Sequence, residues 1–238
     1  DYLESVEKIA KEIVAKNATE VDQTGAFPQA AIDALRDSGM LGLISAKSVG
    51  GLGQGPRAAA LVVERLAREC ASTAMVTCMH YTATAVIEKY GAEAVRKQLA
   101  QGNHLATLAF SEAGSRSHFW APVSTARRDQ NGICLNARKN WVTSAHHATL
   151  YVWSSKPFAA EGASTLWLVP SDSSGISIAG SFDGLGLRGN DSTPVTAENV
   201  LIPAHAMLGG DGQGLAIMLE TVLPLFNVLT AATGIGLM

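Results

Sequence analysis

The chain has 238 residues, 47% apolar and 16% charged, a composition that supports a sizeable core and excludes disordered, collagen-like and disulfide-scaffold readings. Eighteen basic against 21 acidic residues give a formal net charge of -3, so no chain-wide positive field exists to attract a nucleic acid or an anionic membrane. Three cysteines, Cys70, Cys78 and Cys134, form no CxxC and have no histidine at ligand spacing; they read as buried thiols of a reducing compartment, and no metal is expected.

In chain order, Leu3, Val6, Ile9, Ala10, Ile13 and Val14 recur at helical spacing, with Lys8, Lys11, Glu12 and Lys16 on the other side, which predicts an amphipathic helix. A second helix is expected from Pro28, suited to a first turn, through Ile32 and Leu35 to Gly39, a left-handed stop. Gly50 to Gly55 lacks the GK[ST] of a phosphate-binding loop and reads as a turn. Leu61, Val62 and Leu66 belong to a third helix, with Glu64 and Arg68 paired at i,i+4. Met75, Met79, Ala83, Val86 and Tyr90 outline a fourth, and Ala92 to Ala100 a fifth. Residues 1–104 hold 23 of the 39 charged side chains, and the hydrophobic period changes there, so 1–104 is expected to be a helical domain.

Seven short β-rich runs bounded by turn residues follow: Leu105 to Phe110, Gly132 to Asn136, Lys139 to Thr143, Thr149 to Ser154, Ser164 to Pro170, Ile176 to Ala179 and Pro194 to Ile202. No helix-length pattern separates them, which argues against a doubly wound nucleotide fold and for a small antiparallel barrel or sandwich over 105–212. Gly184-Leu185-Gly186-Leu187-Arg188-Gly189 has the letters of a dinucleotide fingerprint, but Asn190 to Pro194 cannot open the helix that such a motif needs. Helical spacing returns at Leu215, Met218, Leu219 and Val222, with Pro224 expected to kink or interrupt it. The uncharged run from Val222 to Met238 reads as a buried core helix rather than a membrane span, because Pro224, Asn227, Thr230 and Thr233 interrupt it. It ends without a polar cap, so 213–238 is expected to begin a second helical domain of a longer protein. The fold class expected is α+β: an N-terminal helical bundle, an antiparallel β-barrel middle domain and the start of a C-terminal helical bundle.

This order becomes specific at Leu108-Ala109-Phe110-Ser111-Glu112-Ala113-Gly114-Ser115-Arg116-Ser117, which resembles the flavin-contacting loop of the acyl-CoA dehydrogenase superfamily. Arg127 to Ser144, with Trp141-Val142-Thr143-Ser144 at its end, resembles the family's hairpin ending in Trp-Ile-Thr-Asn. Leu185 to Asp191 is similar to its LGxRGS segment, and Glu198 to Pro203 to the strand before its second bundle. The resemblance implies FAD, with Leu108, Phe110, Ser111, Ser117, Trp141, Val142 and Thr143 as cofactor-binding residues. In that picture the Phe110 and Ser111 backbone and the Ser111 hydroxyl donate toward the electron-rich edge of the reduced ring. Trp141 supplies a flat wall and Thr143 a hydroxyl. Read without the resemblance, these hydroxyls are turn and strand residues and Trp141 an ordinary core indole.

The resemblance also implies α,β-desaturation of an acyl-CoA thioester, in which a carboxylate takes the α proton while a hydride passes to the flavin. Substrate contacts are expected from Ser117, Arg116 and His118. The last two depart from the family pattern, which has a small residue and an aspartate there, and bulky Phe119 and Trp120 follow. His118 read by itself is a partly buried histidine bonded to backbone. Leu225, Phe226 and Asn227 replace the charged residues the family often carries in the last helix, so the catalytic base is expected beyond Met238 and not at Glu220. An electron-transferring flavoprotein or similar acceptor, a homodimer or homotetramer, and a cytoplasmic site, or the mitochondrial matrix in a eukaryote, complete the expectation. The alternatives are a flavin-dependent monooxygenase on the same scaffold and a non-catalytic family member.

Overall fold

Asp1 caps the first helix, its carboxylate accepting the Leu3 amide at 3.2 Å. A computed structural model gives the conformation of residues 1–116 and 118–238; Ser117 lies outside the described residues. Helix α1 (Tyr2–Ile9) runs through a wide π turn (Ala10–Val14) into α2 (Ala15–Thr24), and Gly25, at φ 71°, ends the run. Val6, Ile9, Ala10, Val14 and Val21 face inward as the spacing predicts, whereas Leu3 is exposed. Helices α3 (Gln29–Asp37), α4 (Pro56–Ala67), α5 (Ala71–Tyr90) and α6 (Glu93–Ala100) follow. Between α3 and α4 the glycine-rich turn is laced to the chain before it: the amides of Leu52, Gly53 and Gln54 donate to the carbonyls of Gly42, Ser45 and Leu43 at 2.8–3.0 Å.

Helix α5 is apolar on several faces because it packs against α4, the first strand and the last helix at once. It also carries two buried polar anchors. The Tyr81 hydroxyl donates to the Met40 carbonyl at 2.8 Å. His80 lies between the Leu41 carbonyl, 2.9 Å from Nε2, and the Ala106 amide, 3.1 Å from Nδ1. A neutral ring with the proton on Nε2 satisfies both partners, and a proton on Nδ1 would face the Ala106 N–H. Burial accordingly pulls the His80 imidazole from 6.5 down to about 4. The depressed value means that this contribution to stability is full above pH 6.5 and is lost as pH falls toward 4. Urea unfolding should lose roughly 3 kcal/mol more in the wild type than in His80→Gln across that interval, and parallel curves would remove His80 as the cause.

The second half contains β1 (Ala106–Ala109), β2 (Thr125–Asp129), β3 (Gly132–Val142), β4 (Leu150–Ser155), β5 (Thr165–Pro170), β6 (Ile176–Ile178), β7 (Thr193–Ile202) and β8 (Met207–Leu208). These make two four-stranded sheets, ordered β1-β4-β5-β8 and β2-β3-β7-β6, facing each other across Tyr151, Trp153, Trp167, Leu135, Val195 and Val200. The expected barrel is therefore corrected: among the described residues no ladder joins the two sheets into a closed cylinder. Nor is the pairing wholly antiparallel, since β1 runs parallel to β4; the long excursion from Phe110 to Thr149, through β2 and β3 of the other sheet, gives the chain room to return in the same direction. The two runs predicted within 132–143 are one strand, interrupted by register shifts at Leu135/Ala137 and Lys139/Val142.

At the C-terminal side, α7 (Gly214–Ile217), a π turn (Met218–Val222) and α8 (Leu223–Leu237) form one continuous helical run. Pro224 does not interrupt it. The Glu220 carbonyl, four residues earlier, lies in the wider π turn, which accommodates the missing N–H and the ring. Gly214–Leu237 is long and apolar enough by composition to cross a membrane, an 18-residue stretch of it having a mean hydropathy of 1.8. In this fold its Leu225, Leu229 and Ala232 join the core formed with α4 and α5. Leu219, Val228 and Ile235 on its other face are exposed.

Candidate functional site

The end of β1, the end of β3 and helix α8 converge on an apolar cleft of about 210 Å³. Leu108, Phe110 and Ser111 form one wall and Asn140 and Trp141 the next; Met79 of α5 and Phe226 of α8 close the far side. The first two walls are tied directly, the Asn140 amide donating to the Ser111 carbonyl at 2.8 Å. Four of the residues predicted from sequence, Leu108, Phe110, Ser111 and Trp141, thus meet in one place.

Trp141 is not the ordinary core indole that it reads as without the family resemblance. The register shift between Lys139 and Val142 turns it out of the sheet at φ 57°, with 68% of its surface exposed, while Val142 returns to the core. A large aromatic held outside the fold on left-handed backbone is a feature the fold does not need for its own stability. Its ring meets Phe182 edge-on, centroids 6.4 Å apart, and a second pocket of about 360 Å³, bounded by Ser181, Phe182 and Ser192, opens on that side.

The remaining predicted residues lie elsewhere. The Val142 side chain is buried in the sheet core, so only its main chain is available to a ligand. Thr143 is buried with its hydroxyl 3.2 Å from that of Ser192. Arg116 is exposed at φ 48° and His118 is exposed too, stacked on Trp120 at 4.9 Å rather than partly buried; the side chain of this loop that lines the cleft is Phe119. Ser117 falls outside the described residues.

Beneath the two walls lies an ionic cluster, Glu112 with Lys139, for which the sequence alone suggests no role. Lys139 is fully buried, and its ammonium donates to Glu112 Oε1 at 2.5 Å, to the Ser154 carbonyl at 2.6 Å and to the Ser154 hydroxyl at 2.9 Å. The other Glu112 oxygen accepts the amides of Val123 at 2.7 Å and Ser124 at 2.9 Å. Burial pulls the Lys139 ammonium below the usual lysine range, against the attraction of Glu112. Burial works against the Glu112 carboxylate as well, but Lys139 and the donated hydrogen bonds outweigh it and hold the group below the usual carboxylate range. Strand alternation was the signal available for this cluster, because Lys139 shares the inward parity of Ile133 and Leu135.

A second polar cluster joins the halves of the chain. The Asp191 carboxylate accepts the His146 amide at 2.7 Å, His146 Nδ1 at 2.9 Å and the Thr193 hydroxyl at 2.8 Å, and the His147 ring stacks on Phe27 at 3.8 Å. Next to it, Gly189 packs so closely on α2 that an added Cβ would stand 2.3 Å from Val21 Cγ1, and Arg188 Nε donates to the Asp22 carbonyl at 2.8 Å. The glycine-rich segment at 184–189 is therefore a seam between helices and sheets; it ends in a three-residue helical turn (Arg188–Asn190), and β7 follows rather than a phosphate-binding helix.

Known proteins resemble the chain throughout. The N-terminal domain model of acyl-CoA dehydrogenases matches residues 1–102 and the middle domain model residues 107–200. The mitochondrial isovaleryl-CoA dehydrogenase of Oryza sativa subsp. japonica is 29% identical over 246 aligned residues, which cover all of this chain and 60% of that protein. The butyryl-CoA dehydrogenase structure from Megasphaera elsdenii superposes with a TM-score of 0.91 at 23% identity, over 99% of this chain and 64% of that one. A structure described as an FAD complex of PigA superposes at 0.84 with 17% identity, over 97% of this chain and 63% of that one. The chain thus spans about 60% of the length of the relatives it matches. Two consecutive family domains, matched in order over most of the chain and carried on the same fold, place it in the acyl-CoA dehydrogenase family.

Proposed function

We propose that this chain supplies the helical and β portions of an FAD-dependent acyl-CoA dehydrogenase that desaturates an acyl thioester between its α and β carbons. The observation that carries the reading is Trp141, an exposed ring on left-handed backbone between two pockets, facing the Leu108, Phe110 and Ser111 wall. A flat, largely apolar ring system with polar edges suits that setting: an indole face for stacking, aliphatic walls, and the Ser111 and Asn140 polar groups at the rim. FAD bound there supplies an acceptor for the hydride equivalent that leaves the acyl β carbon.

The chain's own residues bind, orient and exclude water. Trp141, Ser111 and the main chain of Phe110 and Val142 hold and orient the ring, and Met79, Phe119 and Phe226 keep the acyl side of the cleft dry. Glu112 takes no proton in the reaction, because both of its oxygens are already engaged and its side chain is 2% exposed. No carboxylate lines the cleft among the described residues, Asp183 bordering only the second pocket beyond Trp141, and this reading assigns the base to the part of the relatives' length that this chain does not span. The same reading assigns an electron-transferring flavoprotein or similar acceptor as partner, a homo-oligomeric assembly and a reducing compartment.

The test is to mix the full-length protein anaerobically with saturated acyl-CoA thioesters of graded length. Bleaching of the oxidised flavin band with formation of the 2-enoyl product is expected. Absence of bleaching with every thioester, together with product formed only when reduced flavin and oxygen are supplied, would replace this reading with the monooxygenase one.

A further inference from the structure

We infer that the buried Glu112–Lys139 pair is a clamp that sets the spacing of the cleft walls, and that these two are positioning residues for whatever the cleft binds. The inference rests on the flavin reading only for the identity of that ligand. Glu112 closes the base of an excursion of the chain: it starts the segment that carries Phe119 into the cleft, and through Oε2 it holds Val123 and Ser124 where that segment returns. Lys139 then fixes this closed loop to both sheets. Its ammonium reaches Ser154 of β4 and lies 3.4 Å from the Phe110 carbonyl, and its backbone stands immediately before Asn140 and Trp141 on β3.

Phe110, Ser111, Asn140 and Trp141, the residues that make two of the walls, therefore all lie within two positions of the pair. The Ser124 hydroxyl also donates to the Ser154 carbonyl, at 3.0 Å, so loop and strand converge on one acceptor. A buried ion pair is a poor device for stability, since apolar residues of similar volume commonly do as well. What it adds is direction: each bond has a fixed partner, and the cluster admits one arrangement of three segments. Neither group reaches the cleft surface, so neither acts on a substrate directly.

The experiment compares the wild type, Glu112→Gln, and the double variant Glu112→Gln with Lys139→Met, by melting temperature, FAD titration and amide hydrogen exchange. The double variant removes both charges while keeping an acceptor for Val123 and Ser124, so its melting temperature should return to near the wild-type value. FAD binding should nevertheless remain at least tenfold weaker than in the wild type, and the Asn140 amide, which spans the two walls, should exchange at least tenfold faster while amides of α4 and α5 keep their protection. A purely structural pair gives the other result, with FAD affinity and Asn140 protection recovering together with the melting temperature, and that would overturn the clamp. A wild type that binds no FAD would defeat the proposed function, and Asn140 exchange in the double variant would then decide the clamp alone.

Discussion

Replacing Trp141 by alanine should weaken FAD binding by at least tenfold, a loss of about 1.4 kcal/mol or more, while the melting temperature moves by no more than about 2 °C. The separation of the two effects follows from the fold. Trp141 exposes 68% of its surface, so its removal opens no cavity and uncovers no core. A bound ring system would cover that indole, and stacking and apolar burial would be lost with it. Trp153 and Trp167 are the controls: both are fully buried between the sheets, and alanine at either should cost about 3–5 kcal/mol of stability. Trp141→Ala with unchanged FAD affinity would remove this residue from the site; if it melted like the core variants, the indole would be supporting the fold instead.

Lys139→Met alone should destabilise the protein by about 3–5 kcal/mol, which lowers the melting temperature by on the order of ten degrees. The cost comes from what remains. Glu112 stays buried with two backbone amides donating to one oxygen and no cation opposite the other, and the Ser154 carbonyl loses its ammonium donor. Adding Glu112→Gln to that variant should recover most of the loss, because an uncharged amide replaces the stranded carboxylate. A single variant as stable as the wild type would show that the pair is not held as tightly as its distances indicate.

The sequence by itself determined the helices, since most of them carry apolar residues at the helical period, and a stop such as Gly39 needs nothing beyond the chain's own neighbours. It determined the central strands, where Val, Ile, Leu and Trp run together, and through the motif around Ser111 and Trp141 the family to which the chain belongs. Strand β2 has no apolar alternation, because Thr125–Asp129 is a mostly exposed edge segment rich in charge, and only the hairpin resemblance from Arg127 onward covers it; two-residue β8 carries no period at all. Pro224 shows the limit of a strong local rule: a π turn decides whether a proline breaks a helix, and nothing in the local letters announces it.

Only the tertiary structure decided how the sheets pair and which way two residues point. Alternation along β3 puts Trp141 inward with Lys139, but the register shift between Lys139 and Val142 is set by the partner strand β7, and it sends the indole to the cleft while Lys139 stays inside. A lysine on a core face is tolerated only where a carboxylate arrives to meet it, and Glu112 comes from a loop 27 positions away. Backbone register and buried charge are long-range quantities, fixed when distant segments meet, whereas periodicity and capping are written within a few residues of one another.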